Sequence, residues 1–265
     1  MSVRETLWAG LTLVPRVLAD WGSERPPTLR PSAQPIVLLQ GFAASSLVLV
    51  PLERYLTRRL LRPVVRLRLG GALSLHLGDI RSSAEQVAKT LDELARVPGF
   101  RYVDVVGHSM GGLVATYLLK RLDSQRRIRR VITLGTPHRG APLALAGALL
   151  FGAFSRAIWQ MLPGSSLLRE LQALPVPPGS ELIAVSAAGD LVVPNACAHL
   201  AAEPGHRNEN LAEVDHLGLL HHARCHQFVE TALAQTAAPT RRPAKRLAPP
   251  KRHSLRLAGL VRGGT

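Results

Sequence analysis

The chain is poor in several features, and each shortage excludes a class. It holds two cysteines, Cys197 and Cys225, in 265 residues. Two are too few for a disulfide framework, so the fold must rest on its core. Whether they pair, and so the redox compartment, stays open in the sequence. No apolar run reaches the ~18 residues of a membrane-spanning helix. No internal repeat is visible, which argues against a solenoid or propeller. Acids are scarce: 18 Asp/Glu stand against 33 Lys/Arg, for a net charge of +15. After Thr236 there is no acid at all, while eight Lys/Arg stand there. About half of the excess positive charge therefore belongs to the last stretch rather than to a folded domain.

The two ends read differently from the middle. Val3, Leu7, Trp8, Leu11, Val14, Leu18 and Trp21 recur at roughly helical spacing. Pro15 and Arg16 interrupt the apolar core that a secretory signal needs, and no A-x-A-like cleavage site follows. The expectation is an N-terminal helix, either packed on the domain or lying in a membrane interface. Residues 22–35 are a Pro/Ser/Arg-rich linker. At the other end, Arg241-Arg242, Lys245-Arg246 and Lys251-Arg252 stand among prolines, a composition that cannot bury enough surface to fold. A solvated tail is the simplest reading; contact with an anionic membrane surface is the functional one, and no specific nucleic acid is assigned. The expected organisation is residues 1–34 as helix and linker, 35–235 as the main folded domain, and 236–265 as a disordered basic tail. A second basic group, Lys120, Arg121, Arg126, Arg127, Arg129 and Arg130, is expected to complement a helix C-terminus and to need no ligand.

What is present is a globular middle: 46% of the chain is apolar, enough for one domain with a sizeable core. Strands are expected at 35–40, 64–69, 102–106, 130–134 and 182–186. Helices are expected at about 47–61, with Pro51 near its first turn, at 82–97, from 112, and at 221–234. Glu85 lies three residues after Ser82, as in a capping box. Strands alternating with helices predict an α/β fold with a mainly parallel, doubly wound sheet. One insertion, about 141–180, breaks the alternation. From Ala141 to Ser155 it carries no charge, and Phe151, Phe154, Ile158, Trp159, Met161 and Leu162 continue the apolar habit. It is either a buried helix pair or a helical cap whose inner face lines a substrate pocket, with Phe154, Trp159 and Leu162 as the candidate lining.

The chemistry centres on Gly107-His108-Ser109-Met110-Gly111. A β-branched run, Tyr102 to Val106, precedes it, and a helical pattern follows. Strand, sharp turn bearing Ser, then helix is the context of a nucleophile elbow. A Ser hydroxyl needs a base, and the base needs an orienting acid. In the elbow fold the chain order is Ser, acid, His. Asp190 follows the strand at 182–186, and His216 stands in a loop before the last helix. Asp215 adjoins His216, but neighbouring side chains of an extended segment point to opposite sides, so Asp190 is the expected acid. His221, His222 and His226 are expected on the surface of the last helix; His199 and His206 lie in a polar loop and are weaker rivals. The oxyanion hole is assigned to the N–H groups of Met110, next to the nucleophile, and Phe42, after Gly41.

Gly107 to Leu113 and Gly135-Thr136-Pro137-His138-Arg139-Gly140 together resemble the bacterial lipase and esterase branch of the α/β-hydrolase superfamily. Gly189 to Pro194 is similar to that branch's acid-bearing turn, and Asp215 to Leu219 to its His loop. The resemblance covers about Pro35 to Ala234. It implies the α/β-hydrolase fold with a helical cap and a serine carboxylester hydrolase acting on acyl esters or lipids through an acyl-enzyme. It implies no cofactor. Gln40-Gly41 stands where the branch usually carries His-Gly, a change that leaves a backbone donor in place. Some related lipases hold calcium near the His loop with two aspartates; only Asp215 is close here, so no metal is expected. Thioesterases and acyltransferases share the machinery, and a basic binding protein on a hydrolase scaffold is the reading from another class. The expected location is cytoplasmic or peripheral to a membrane, with secretion left open. The sequence does not state an oligomeric state.

Overall fold

The computed structural model describes residues 34–69, 78–96, 99–142, 144 and 155–235. The expected N-terminal helix, most of the linker, the basic tail and Phe154 lie outside the described residues. Among the described residues six strands form one sheet: β1 (Ile36–Leu39), β2 (Val64–Leu67), β3 (Val103–His108), β4 (Ile128–Leu134), β5 (Glu181–Ala187) and β6 (His206–Leu211). Their order is β2-β1-β3-β4-β5-β6, and every neighbouring pair is parallel. The described helices are α1 (Val50–Arg59), α2 (Ile80–Leu94), α3 (Met110–Tyr117), α4 (Arg156–Gln160), α5 (Ser166–Ala173), α6 (Asn195–Ala198) and α7 (Ala223–Ala234). A π turn, Leu118–Leu122, prolongs α3.

A parallel sheet must be covered on both faces, so its strands read as near-continuous apolar runs. Alternate residues supply the two cores. Val37, Leu39, Val105, Val131 and Leu182 pack with Val87 and Leu91 of α2, Leu113 of α3, and Leu167, Leu168 and Leu171 of α5. Ile36, Leu38, Val106, Ile132 and Ile183 pack with Leu52 and Leu56 of α1 and Val229 and Leu233 of α7. The direction of winding reverses at β1: β2 lies on one side of it and β3 on the other. Loops leaving the carboxyl ends of β1 and β3 therefore diverge, and a crevice opens where open α/β sheets bind ligands. Gly41 and Ser109 follow these two ends.

Three local expectations change. Helix α2 starts two residues earlier than the Ser82 signal, because Asp79 is its N-cap: its Oδ1 accepts from Ser82 N–H at 3.0 Å. A carboxylate before the first turn satisfies an orphan donor and meets the positive end of the dipole, so the Ser82–Glu85 box is not used. Strand β6 was not expected. Its sequence, His206-Arg207-Asn208-Glu209-Asn210-Leu211, has no β-branched residue and sits at the sheet edge, where one strand neighbour and solvent replace a core. The basic group is also divided. Arg129 and Arg130 lie in β4, buried, and they do meet a helix C-terminus, but that of α7: they donate to Leu233 O and Ala232 O. Their charges are balanced by Asp104 and Glu181.

The insertion is partly core and partly pocket wall. Ala157, Leu167, Leu168 and Leu171 belong to the core cluster. Ile158 faces a cavity at the carboxyl end of β3, and Met161 belongs to both the cluster and that cavity wall.

Candidate active site

At the end of β3 the backbone turns through Ser109 with φ 52° and ψ −124°. For a residue with a side chain this left-handed value costs on the order of 1–3 kcal/mol and persists only when the surroundings impose it. They do so by close packing. A Cβ on Gly107 would lie 2.5 Å from Gly111 O, and one on Gly111 would run into Gln40 O. Glycine at both places lets α3 start directly against β3 and β1. Ser109 N–H donates to Leu134 O at 2.8 Å, and Thr136 Oγ1 donates to Ser109 O at 3.0 Å. The turn is thus held from β4 as well.

His216 and Asp190 arrive from two later loops. His216 Nδ1 lies 2.7 Å from Asp190 Oδ2. A carboxylate accepts, so Nδ1 carries the proton and Nε2 presents a bare lone pair. Asp190 is buried, and its other oxygen accepts from Val192 N–H at 2.9 Å and Val193 N–H at 2.7 Å. Those two backbone donors fix the carboxylate and leave Oδ2 for the ring. Asp215 is occupied elsewhere: its Oδ1 accepts from Gly218 N–H at 2.6 Å, capping the Gly218–Leu220 turn.

Ser109 and His216 line one cavity of about 320 Å³, together with Phe42, Ile158 and Met161. Its walls are mostly apolar. Among the described residues no hydrogen bond joins the Ser109 hydroxyl to the ring, a looseness usual before substrate binds. Phe42 is at the wall beside Gly41. Met110 opens α3, so its N–H is a first-turn donor without an intrahelical partner. Trp159 and Leu162 are not brought to this cavity. Trp159 is 53% exposed, because consecutive helical residues point in different directions and Ile158 takes the inward one. The inward residues of the insertion were named by the apolar pattern, but nothing in it selected which of them face the nucleophile.

Sequence reasoning also passed over His108. It is buried, and its Nε2 lies 3.0 Å from His216 O. A carbonyl only accepts, so Nε2 carries the proton. Burial first, and then the neighbouring His216, lower its pKa to about 3, so the ring stays neutral. The rings of His108 and His216 lie 4.7 Å apart. The residue before the nucleophile therefore holds the loop that carries the base. The only sequence signal was its place inside the elbow motif.

Other candidates are placed elsewhere. His226 is buried rather than on the surface, with Nε2 2.8 Å from Leu220 O, because α7 turns that side against the His loop. His199 and His206 line a second cavity away from Ser109. Cys197 and Cys225 are both free, and burial pushes the Cys225 thiol up to about 12, which removes it as a nucleophile. Among the described residues no group of three His, Cys, Asp or Glu is placed to hold a metal.

A family model described as a PGAP1-like alpha/beta domain matches residues 80–164. Several solved structures share the fold. The mature lipase BlEst2 of Bacillus licheniformis is 18% identical, with a TM-score of 0.62 over 79% of this chain and 95% of that one. Lipase B of Aspergillus fumigatus is 18% identical with a TM-score of 0.65; the match covers 81% of this chain and 56% of that longer one. A Listeria innocua gene product is 15% identical with a TM-score of 0.59, over 78% of this chain and 96% of that one. At such identities the likeness is one of fold.

Proposed function

We propose that this chain, which has the α/β-hydrolase fold, is a serine carboxylester hydrolase of the lipase/esterase kind. The observation that carries the reading is the 2.7 Å contact of His216 with Asp190 at the wall of the cavity that Ser109 lines. Ser109 Oγ attacks the ester carbonyl carbon as its proton passes to His216 Nε2. The N–H groups of Phe42 and Met110 stabilise the oxyanion that forms. Its collapse breaks the bond to the leaving oxygen, which takes the proton from the imidazolium. Water then repeats the sequence on the acyl-enzyme and releases the acid. Asp190 holds the ring in the required tautomer and stabilises its charged form. No cofactor takes part.

The mostly apolar cavity suits the acyl chain of a lipid-like ester. Two structurally similar proteins are named lipases, which supports the same substrate class. Among the described residues no helix is long and apolar enough to cross a membrane. In this reading an anionic membrane surface would be met by the basic stretch after Thr236.

The test is covalent labelling. A fluorophosphonate should label the wild type and leave a folded Ser109→Ala variant unlabelled, with turnover of p-nitrophenyl esters lost in parallel. Labelling that persists in the variant would remove Ser109 from the mechanism. A panel of ester, thioester and amide substrates then decides the leaving group.

A further inference from the structure

A second cavity, of about 440 Å³, lies outside the site described above. It is bounded by the far end of α3, the loop after β4, α5 and the segment leading into β6. Its wall carries groups that the hydrolytic reading does not use.

Lys120, on the π turn after α3, donates from Nζ to Leu171 O at 2.9 Å. An ammonium has three protons, so two remain for the cavity. Burial pushes its pKa down, partly offset by Glu203; a counter-charge would relieve that cost. Arg139 is exposed at the same cavity and makes no ion pair among the described residues. On the wall also stands His206, whose side chain is only 4% exposed. Its Nδ1 is 2.9 Å from Ala201 O and must donate to it. Its Nε2 is buried and has no partner among the described residues. His138 completes the group. Its ring is held at about 3, first by burial and then by Lys120 and His206, which line the same cavity. Glu203 stands at the rim, its Oε2 3.8 Å from His206 Nδ1, and opposes an anion there.

We propose that this cavity binds a phosphomonoester. The wall offers cationic donors, Lys120 and Arg139, together with an unpartnered ring nitrogen at His206. A carboxylate offers two oxygens to this wall; a phosphate group offers three, enough to meet Lys120, Arg139 and the His206 ring one apiece. The cavity exceeds a phosphate in size, and Leu171, Leu200 and Ala201 leave an apolar part for a small organic group. The inference does not depend on the hydrolase reading, since none of these residues takes part in that mechanism.

Calorimetry on the full chain with inorganic phosphate and with glycerol 3-phosphate tests it, the second expected to bind more tightly. Lys120→Met and His206→Phe should each weaken glycerol 3-phosphate binding about tenfold or more, since each removes a charge-assisted or buried bond. Glu203→Gln should tighten it several-fold. An unchanged circular dichroism spectrum and urea midpoint for Lys120→Met and His206→Phe show that the fold is intact. Sedimentation with phosphatidylcholine vesicles, with and without phosphatidic acid, identifies the source. Lys120-dependent sedimentation with the phosphatidic acid vesicles, displaced by glycerol 3-phosphate, assigns the site to a lipid headgroup; glycerol 3-phosphate binding without Lys120-dependent sedimentation assigns it to a soluble phosphomonoester. Equal binding by the wild type and Lys120→Met would place the phosphate on the basic surface elsewhere and overturn the proposal. So would the lack of saturable binding to both phosphates and to the vesicles.

Discussion

Two aspartates compete on paper for the role of acid, and geometry separates them. Asp190 touches His216, and Asp215 caps a turn. The reasoning that neighbours in an extended segment point apart leads to the same residue that the contact distance selects. Replacing the acid by its amide keeps the shape but favours the wrong His tautomer; in serine proteases that change lowers kcat on the order of 10⁴-fold. Asp190→Asn should therefore cut kcat by several orders of magnitude on a soluble ester, and Asp215→Asn by a few-fold at most. A large loss in Asp215→Asn with a small one in Asp190→Asn would reverse the assignment. Legible in the sequence at this scale were residue type and chain order. The bond from His108 to the base loop was not, because it joins positions 108 residues apart.

At the scale of elements, sequence patterns performed best where one short-range force decides. Strands β1 to β5 are apolar runs and were anticipated, as was Pro51 in the first turn of α1. Strand β6 was not, because its reason for being a strand is the hydrogen-bonding edge of β5, which no local pattern records. The insertion shows the same limit. Its apolar habit predicted burial, while the direction of each side chain depends on where α4 lands. Ile158 faces the cavity and Trp159 does not. Removing pocket methylenes weakens discrimination by about 1–3 kcal/mol. Ile158→Ala should thus lower kcat/KM for a long-chain p-nitrophenyl ester about tenfold more than for the acetate, and Trp159→Ala should leave that ratio unchanged. A shift in the ratio with Trp159→Ala and none with Ile158→Ala would mean that α4 is turned the other way over the substrate.

For the whole molecule, a charged cluster ties distant parts of the chain together. Asp104 in β3 is fully buried and accepts from Arg62, at 2.6 Å, and from both Nε and Nη2 of Arg129. Arg62 and Arg129 also donate to Leu233 O at the end of α7. Breaking such a cluster leaves buried cations without a partner, so Asp104→Asn should cost about 3 kcal/mol. Urea unfolding checks this: the midpoint should fall with an unchanged slope, and a cost below about 0.5 kcal/mol, the level of an ordinary surface change, would show that the cluster is not structural. Local sequence by itself determined the α/β class, most strands and helices, the elbow, and the types and order of the three candidate site residues, because periodicity, turn chemistry and motif context act over a few positions. Only the tertiary structure decided which insertion residues face the cavity, that the Arg pair is buried, that His108 holds the base loop, and that a second polar cavity exists. Each of these depends on contacts between segments far apart in the chain, whose directions are set by how helices seat on the sheet.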